Sequence, residues 1–122
     1  MEPERDTIIK VGDKEYELIL TTAAVKSLAK KFGGMKNLEK KFSDDAVFAF
    51  DEMSEVVCLL ANQSVSIRNL SNQDNPEPLL TPEQFELLTG PADFPLFSAA
   101  LTAAMEKGMS RNVESEPEGK NE

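Results

Sequence analysis

Thr7-Ile8-Ile9-Lys10-Val11-Gly12-Asp13-Lys14-Glu15-Tyr16-Glu17-Leu18-Ile19-Leu20-Thr21-Thr22-Ala23-Ala24-Val25-Lys26-Ser27-Leu28 is the stretch that decides the fold, because its hydrophobic period changes midway. The β-branched run Thr7 to Val11 meets a turn cluster, Gly12-Asp13-Lys14, and beyond it Tyr16 and Leu18 alternate with Glu15 and Glu17. Alternation on both sides of a glycine turn is the pattern of a two-stranded hairpin. After Thr21 the apolar residues Ala24, Val25, Leu28 and Phe32 recur every three or four positions, which places them on one helix face. Thr21 and Thr22 are suited to cap that helix, and Gly33-Gly34 ends it, since glycine enters the left-handed conformation without steric cost. A lone hairpin is marginal in water, so the strands must lean on helices or on another chain's strands.

Working outward, the same reading predicts more helices. Met35, Leu38 and Phe42 mark a short one over 35–42. Ser43-Asp44-Asp45 supplies a cap and first-turn acids for a main helix whose stripe is Val47, Phe50, Met53, Val57 and Leu60, reaching Ala61 or beyond. Asp51, Glu52 and Glu55 take its outer side. Arg68 to Pro78 is rich in Asn, Ser, Gln, Asp and Pro and reads as a loop. Thr81-Pro82-Glu83-Gln84 is the sharpest local signal: an N-cap, a proline at the first helical position and a capping-box glutamine. Gly90-Pro91 stops that helix. Asp93-Phe94-Pro95 opens the last one, with Leu96, Phe97, Ala100, Leu101, Ala104 and Met105 as its apolar face and Gly108 as its end. The expected fold is therefore mostly α with an N-terminal β-hairpin (α+β), a single domain of four to five helices over residues 7–108. Residues 1–6 and the acidic stretch 109–122 are expected to be disordered.

Composition narrows the function. The 122 residues carry a formal net charge of −9, one cysteine and no histidine. Histidine-based triads and His-metal sites are excluded by that absence. A lone cysteine cannot pair within the chain, and the charged N-terminus lacks the apolar core of a secretory signal, so a cytoplasmic setting is expected. An acidic chain is repelled by phosphate backbones, which argues against nucleic acid as partner. The charge is uneven, though: Lys26, Lys30, Lys31, Lys36, Lys40 and Lys41 face one acid, Glu39, a local excess of five positive charges that leaves fourteen net negative ones on the rest.

The remaining chemical candidates have simpler explanations. Cys58 lies among Val56, Val57, Leu59 and Leu60 and reads as a small buried hydrophobe. Asp44-Asp45 and Asp51-Glu52 read as capping or solvent-facing acids. Residues 69–74 lack the ligand spacing of a calcium loop, and Gly33-Gly34 lacks a phosphate-binding context. No catalytic residue, cofactor or metal ligand is expected, and no enzyme activity. The lysine group is either a solvated face or a docking surface for an acidic partner, including the acidic side of a second copy. Lys30, Lys31, Lys36 and Lys40 are its candidate partner-binding residues.

Ile9-Lys10-Val11-Gly12-Asp13-Lys14-Glu15-Tyr16-Glu17-Leu18, then Thr21 to Leu28, then Phe32-Gly33-Gly34 resembles the tail assembly chaperones of long-tailed bacteriophages and prophages. In that family a short G-K-x-Y-x-L strand leads into a threonine-capped helix with a lysine-rich face. This chain has one extra residue after the glycine, and the resemblance spans residues 8–42. It implies a chaperone that coats the tape-measure protein, is displaced as the tail-tube protein polymerises, assembles as a homo-oligomer, and is often made in a second, frameshifted length. Gly119-Lys120 is compatible with the slippery codons used for that. The competing expectations are a structural head–tail connector or tail-terminator subunit, and an acidic regulatory protein that mimics DNA. The lysine group opposes the last, since mimicry needs a continuous negative face.

Overall fold

The computed structural model describes the backbone of residues 5–43 and 49–121 and the side chains of residues 6–41 and 49–109. Strands β1 (Ile8–Val11) and β2 (Lys14–Glu17) are followed by helices α1 (Thr22–Phe32), α2 (Met35–Ser43), α3 (Phe50–Leu70), α4 (Pro82–Leu88) and α5 (Phe94–Asn121), with single 3-10 turns at Arg5–Thr7 and Pro91–Asp93. The chain is mostly α with an N-terminal hairpin, as its period predicts.

The hairpin is antiparallel, with Ile9 opposite Tyr16 and Val11 opposite Lys14. Gly12 takes the turn at φ 64°, a value that a side chain disfavours. Alternation then decides which face is covered: Ile9, Val11, Tyr16 and Leu18 are buried, while Lys10, Glu15 and Glu17 face out. The buried face rests on α3 through β2 and on α5 through β1. Leu18 N donates to Thr7 O at 2.8 Å, and Ile19 N donates to Leu60 O at 3.2 Å, joining the hairpin's exit to the middle of α3.

Helix α3 is the axis of the molecule. It touches β2, α1, α4 and α5, so its buried residues are not confined to one stripe: Met53, Val56, Val57, Cys58, Leu60, Ala61 and Val65 are all covered. The other helices each offer a narrower face, Ala24 and Leu28 from α1, Leu38 from α2, Phe85 from α4, and Phe97, Ala100, Leu101, Ala104 and Met105 from α5. Among the described residues no helix is long and apolar enough to cross a membrane.

The expected local signals form. Thr21 Oγ1 accepts from Ala24 N at 3.0 Å and starts α1, and Gly33 ends it at φ 86°. Thr81 and Gln84 exchange both bonds of the capping box at 3.1 Å.

Five expectations need correction. Ser43 belongs to the end of α2, and α3 starts at Phe50 with Ala49 as its N-cap residue. There the Glu52 carboxylate accepts from Ala49 N at 3.1 Å, doing what a capping side chain would do; Asp44, Asp45 and Val47 lie outside the described residues. Phe50 and Leu96, expected on apolar stripes, are 67% and 68% exposed: Phe50 is the first residue of α3, and Leu96 stands at the rim of the α5 face, while Phe94 and Phe97 beside it pack on the core. Arg68 to Leu70 remain helical, and the loop begins only at Ser71. Arg5 and Asp6, expected to precede the folded part, join a 3-10 turn that packs on α5; residues 1–4 lie outside those described.

The fifth correction concerns α5, which does not end at Gly108 but continues to Asn121. Gly108 has a packing reason in place of a capping one: a Cβ built there would lie 2.8 Å from Leu20 Cβ.

Candidate interaction surfaces

Helices α1 and α2 meet around Gly33-Gly34 and carry the six lysines of the basic stretch 26–41. The structure divides the four candidate residues. Lys31 turns inward to pair with Glu55 of α3, while Lys30, Lys36 and Lys40 are exposed and have no ion pair among the described residues. Lys41, outside the candidate set, pairs with Glu52 at 3.0 Å. Lys31 and Lys41 also lie over the Phe32 ring, 5.9 and 5.7 Å from its centroid. The bonds from Ala49 N and from Lys41 hold the Glu52 carboxyl below the usual carboxylate range. Two of the six lysines thus fasten α1 and α2 to α3, while Lys30, Lys36 and Lys40 project from the outer side. Exposed pairs of this kind contribute little to stability, typically up to about 1 kcal/mol each.

A second surface has no counterpart in the sequence reading. Phe50, Asp51 and Ser54 of α3, Phe85, Glu86 and Thr89 in and after α4, and Gly90, Pro91 and Phe94 before α5 line a groove of about 370 Å³. Three phenylalanines line it, Phe50, Phe85 and Phe94, and buried Phe97 links the last two behind the wall. Phe50 meets Phe94 edge to face at 5.0 Å, Phe94 meets Phe97 at 6.2 Å, and Phe97 meets Phe85 at 5.1 Å. The chain runs from solvent to core: Phe50 is largely exposed, Phe94 half-buried, and Phe97 and Phe85 buried. The Ser54 hydroxyl donates to Phe50 O at 3.1 Å and the Thr89 hydroxyl to Phe85 O at 2.7 Å, so both are already engaged. The charged groups at the groove are two carboxylates, Asp51 and Glu86, and neither has an ion pair among the described residues.

A third feature stiffens the molecule behind the groove. Asn62 and Asn69 stand two turns apart on α3, and each exchanges two hydrogen bonds with one backbone residue of the loop after it. Asn62 holds Leu80 at 2.8 Å both ways, and Asn69 holds Glu77 at 2.9 and 3.1 Å. Arg68 adds a two-pronged bond to the Glu77 carboxylate, at 2.8 and 2.9 Å, and this guanidinium pulls the Glu77 pKa down. The loop is strapped along its own helix, which buries Leu80 and delivers Thr81 to the start of α4.

Cys58 is buried, and burial, aided by the Glu86 charge, pushes its thiol up to about 12. A thiol so poised is no nucleophile at neutral pH. Among the described residues no cluster of acids and thiol could hold a metal ion. Asp44 and Asp45 lie outside that set. What the described geometry offers is a pair of surfaces, one cationic and one aromatic with acids at its edge, on a stiff helical frame. Comparison with protein-family models, curated proteins and solved structures finds no match for the chain.

Proposed function

We propose that this chain is a non-catalytic assembly chaperone that holds the apolar helical faces of a long partner, as the tape-measure chaperones of phage tails do. The observation that carries the reading is the aromatic groove: Phe50, two-thirds exposed, and Phe94 present ring faces to solvent at the meeting of three helices, where a folded monomer gains nothing from leaving them open. Helix-in-groove recognition uses such a site. The exposed Lys30, Lys36 and Lys40 on α1 and α2 favour a second contact, with an acidic stretch of the same partner or with a neighbouring copy. Several weak contacts repeated along a filament give firm coating by avidity, while each stays weak enough for a growing tail tube to displace it.

The test is co-expression with a fragment of a tape-measure protein. The reading expects the fragment to become soluble and to co-purify with the chain, and expects the chain to be missing from finished particles. An insoluble fragment with nothing co-purifying ends the reading. Retention of the chain in finished particles would instead support a connector or tail-terminator subunit.

A further inference from the structure

We infer that the groove formed by α3, α4 and the Pro91 turn selects a helix whose large apolar anchor is flanked, one turn away, by lysine or arginine. The inference rests on the chaperone reading and names the chemistry of the partner segment. Shape and charge carry it together. The volume of about 370 Å³ lies in the range that receives a large side chain, and the floor and walls that Phe50, Phe85, Pro91 and Phe94 provide are apolar. The groove's hydroxyls, on Ser54 and Thr89, already donate their hydrogen bonds to the carbonyls of Phe50 and Phe85. Polar recognition at the edge therefore falls to Asp51 and Glu86, exposed carboxylates with no cation opposite them among the described residues. An anion-flanked anchor would meet two like charges beside a low-dielectric wall, which repels it. A cation-flanked anchor completes both carboxylates while its apolar side chain covers the rings. Of the six lysines on α1 and α2, the two that reach α3, Lys31 and Lys41, bind Glu55 and Glu52; Asp51, whose Oδ1 accepts, among the described residues, only from the Glu52 backbone N at 2.9 Å, is left to the incoming helix.

The probe is an alanine-based helical peptide of about 16 residues with a central phenylalanine and a lysine four positions to each side, set against its glutamate counterpart. Binding to the full chain is read by fluorescence anisotropy of the labelled peptide, and its place by amide chemical shifts. The lysine peptide is expected to bind at least about tenfold more tightly than the glutamate peptide at low salt, and to move the amides of Ser54, Phe85 and Thr89. Asp51→Lys with Glu86→Lys should reverse the order of the two peptides. The milder Asp51→Asn with Glu86→Gln should abolish the preference without reversing it, and covers the case in which the reversed variant fails to fold. Equal binding of the two peptides, shifts confined to α1 and α2, or a preference unchanged in the Asn/Gln variant would overturn the inference. Self-association of the wild type that is lost in that variant would overturn it too, giving the groove to a second copy. Capture of the tape-measure fragment separates the two levels: undiminished capture by the Asn/Gln variant sinks the groove inference alone, whereas no capture by the wild type sinks the chaperone reading.

Discussion

Truncating Phe50 and truncating Phe85 should differ severalfold in their cost to stability, although both rings belong to one aromatic chain. Phe85 is fully buried against Phe97, at 5.1 Å between centroids. Phe85→Ala removes a core ring and leaves a cavity that the surrounding helices cannot collapse, at a cost of roughly 3–5 kcal/mol. Phe50 is 67% exposed. With about 200 Å² for the ring, only a third is removed from water on folding, and at ~25 cal/mol per Å² that is about 1.5 kcal/mol. Alanine regains a few tenths of a kcal/mol in helix propensity, so Phe50→Ala should cost about 1 kcal/mol. Urea unfolding followed by circular dichroism measures both. The account expects Phe50→Ala to shift the midpoint slightly and Phe85→Ala to shift it several times further at an unchanged slope. Equal losses would refute the reasoning, because Phe50 would then be a core residue and not a ring held out for a partner.

The same contacts set three further expectations. Gly108→Ala should destabilise by about 1–3 kcal/mol despite alanine's better helix propensity, since its Cβ would lie 2.8 Å from Leu20 Cβ; a gain in the same urea experiment would show that the Leu20 contact does not require glycine. Cys58 should resist a thiol reagent at pH 8 in the native protein, where a pKa of about 12 leaves roughly one thiolate in ten thousand, and should react at once in denaturant; rapid native labelling would contradict its burial. Glu52 and Glu77 have folded pKa values below their unfolded ones. What they contribute is therefore present above the unfolded carboxylate pKa, about 4.3, and is lost as pH falls through the lower folded values. Hydrogen exchange of residues 71–80 should accelerate in that acid window, beyond its intrinsic pH dependence, and Glu77→Gln should remove the acceleration; a pH-independent loop would show that the strap rests on Asn62 and Asn69 alone.

Those features that depend on neighbours in the chain are the ones the sequence makes legible. The hairpin, the Thr21 and Thr81 caps and the Gly33 stop are each written within a few residues, and each forms. Gly108 misleads because one letter serves two purposes: glycine ends helices, and it also lets a distant side chain approach a helix axis. Ser43-Asp44-Asp45 has the composition of a cap, yet Glu52 supplies the hydrogen bond at the start of α3 from inside the helix. Period alone does not separate Phe50 from Met53, because it gives a face and not the depth at which the core ends. The groove itself is invisible in the sequence for a topological reason. Phe50, Phe85 and Phe94 are far apart along the chain and meet only once α4 and α5 fold back on α3. Of the four lysines, the sequence places Lys31 with the others; only the packing of α1 on α3 reveals that Glu55 claims it. An unusual supply of phenylalanine, seven against one tyrosine and no tryptophan, is the single compositional hint of an aromatic site.

The most direct trial of the account is light scattering from a purified tape-measure fragment as it is diluted out of denaturant, with this protein added in increasing molar ratio. Suppression of aggregation by the wild type, weakened in Phe50→Ala while that variant keeps its fold, is the predicted result. Aggregation at the same rate with and without the protein would contradict it.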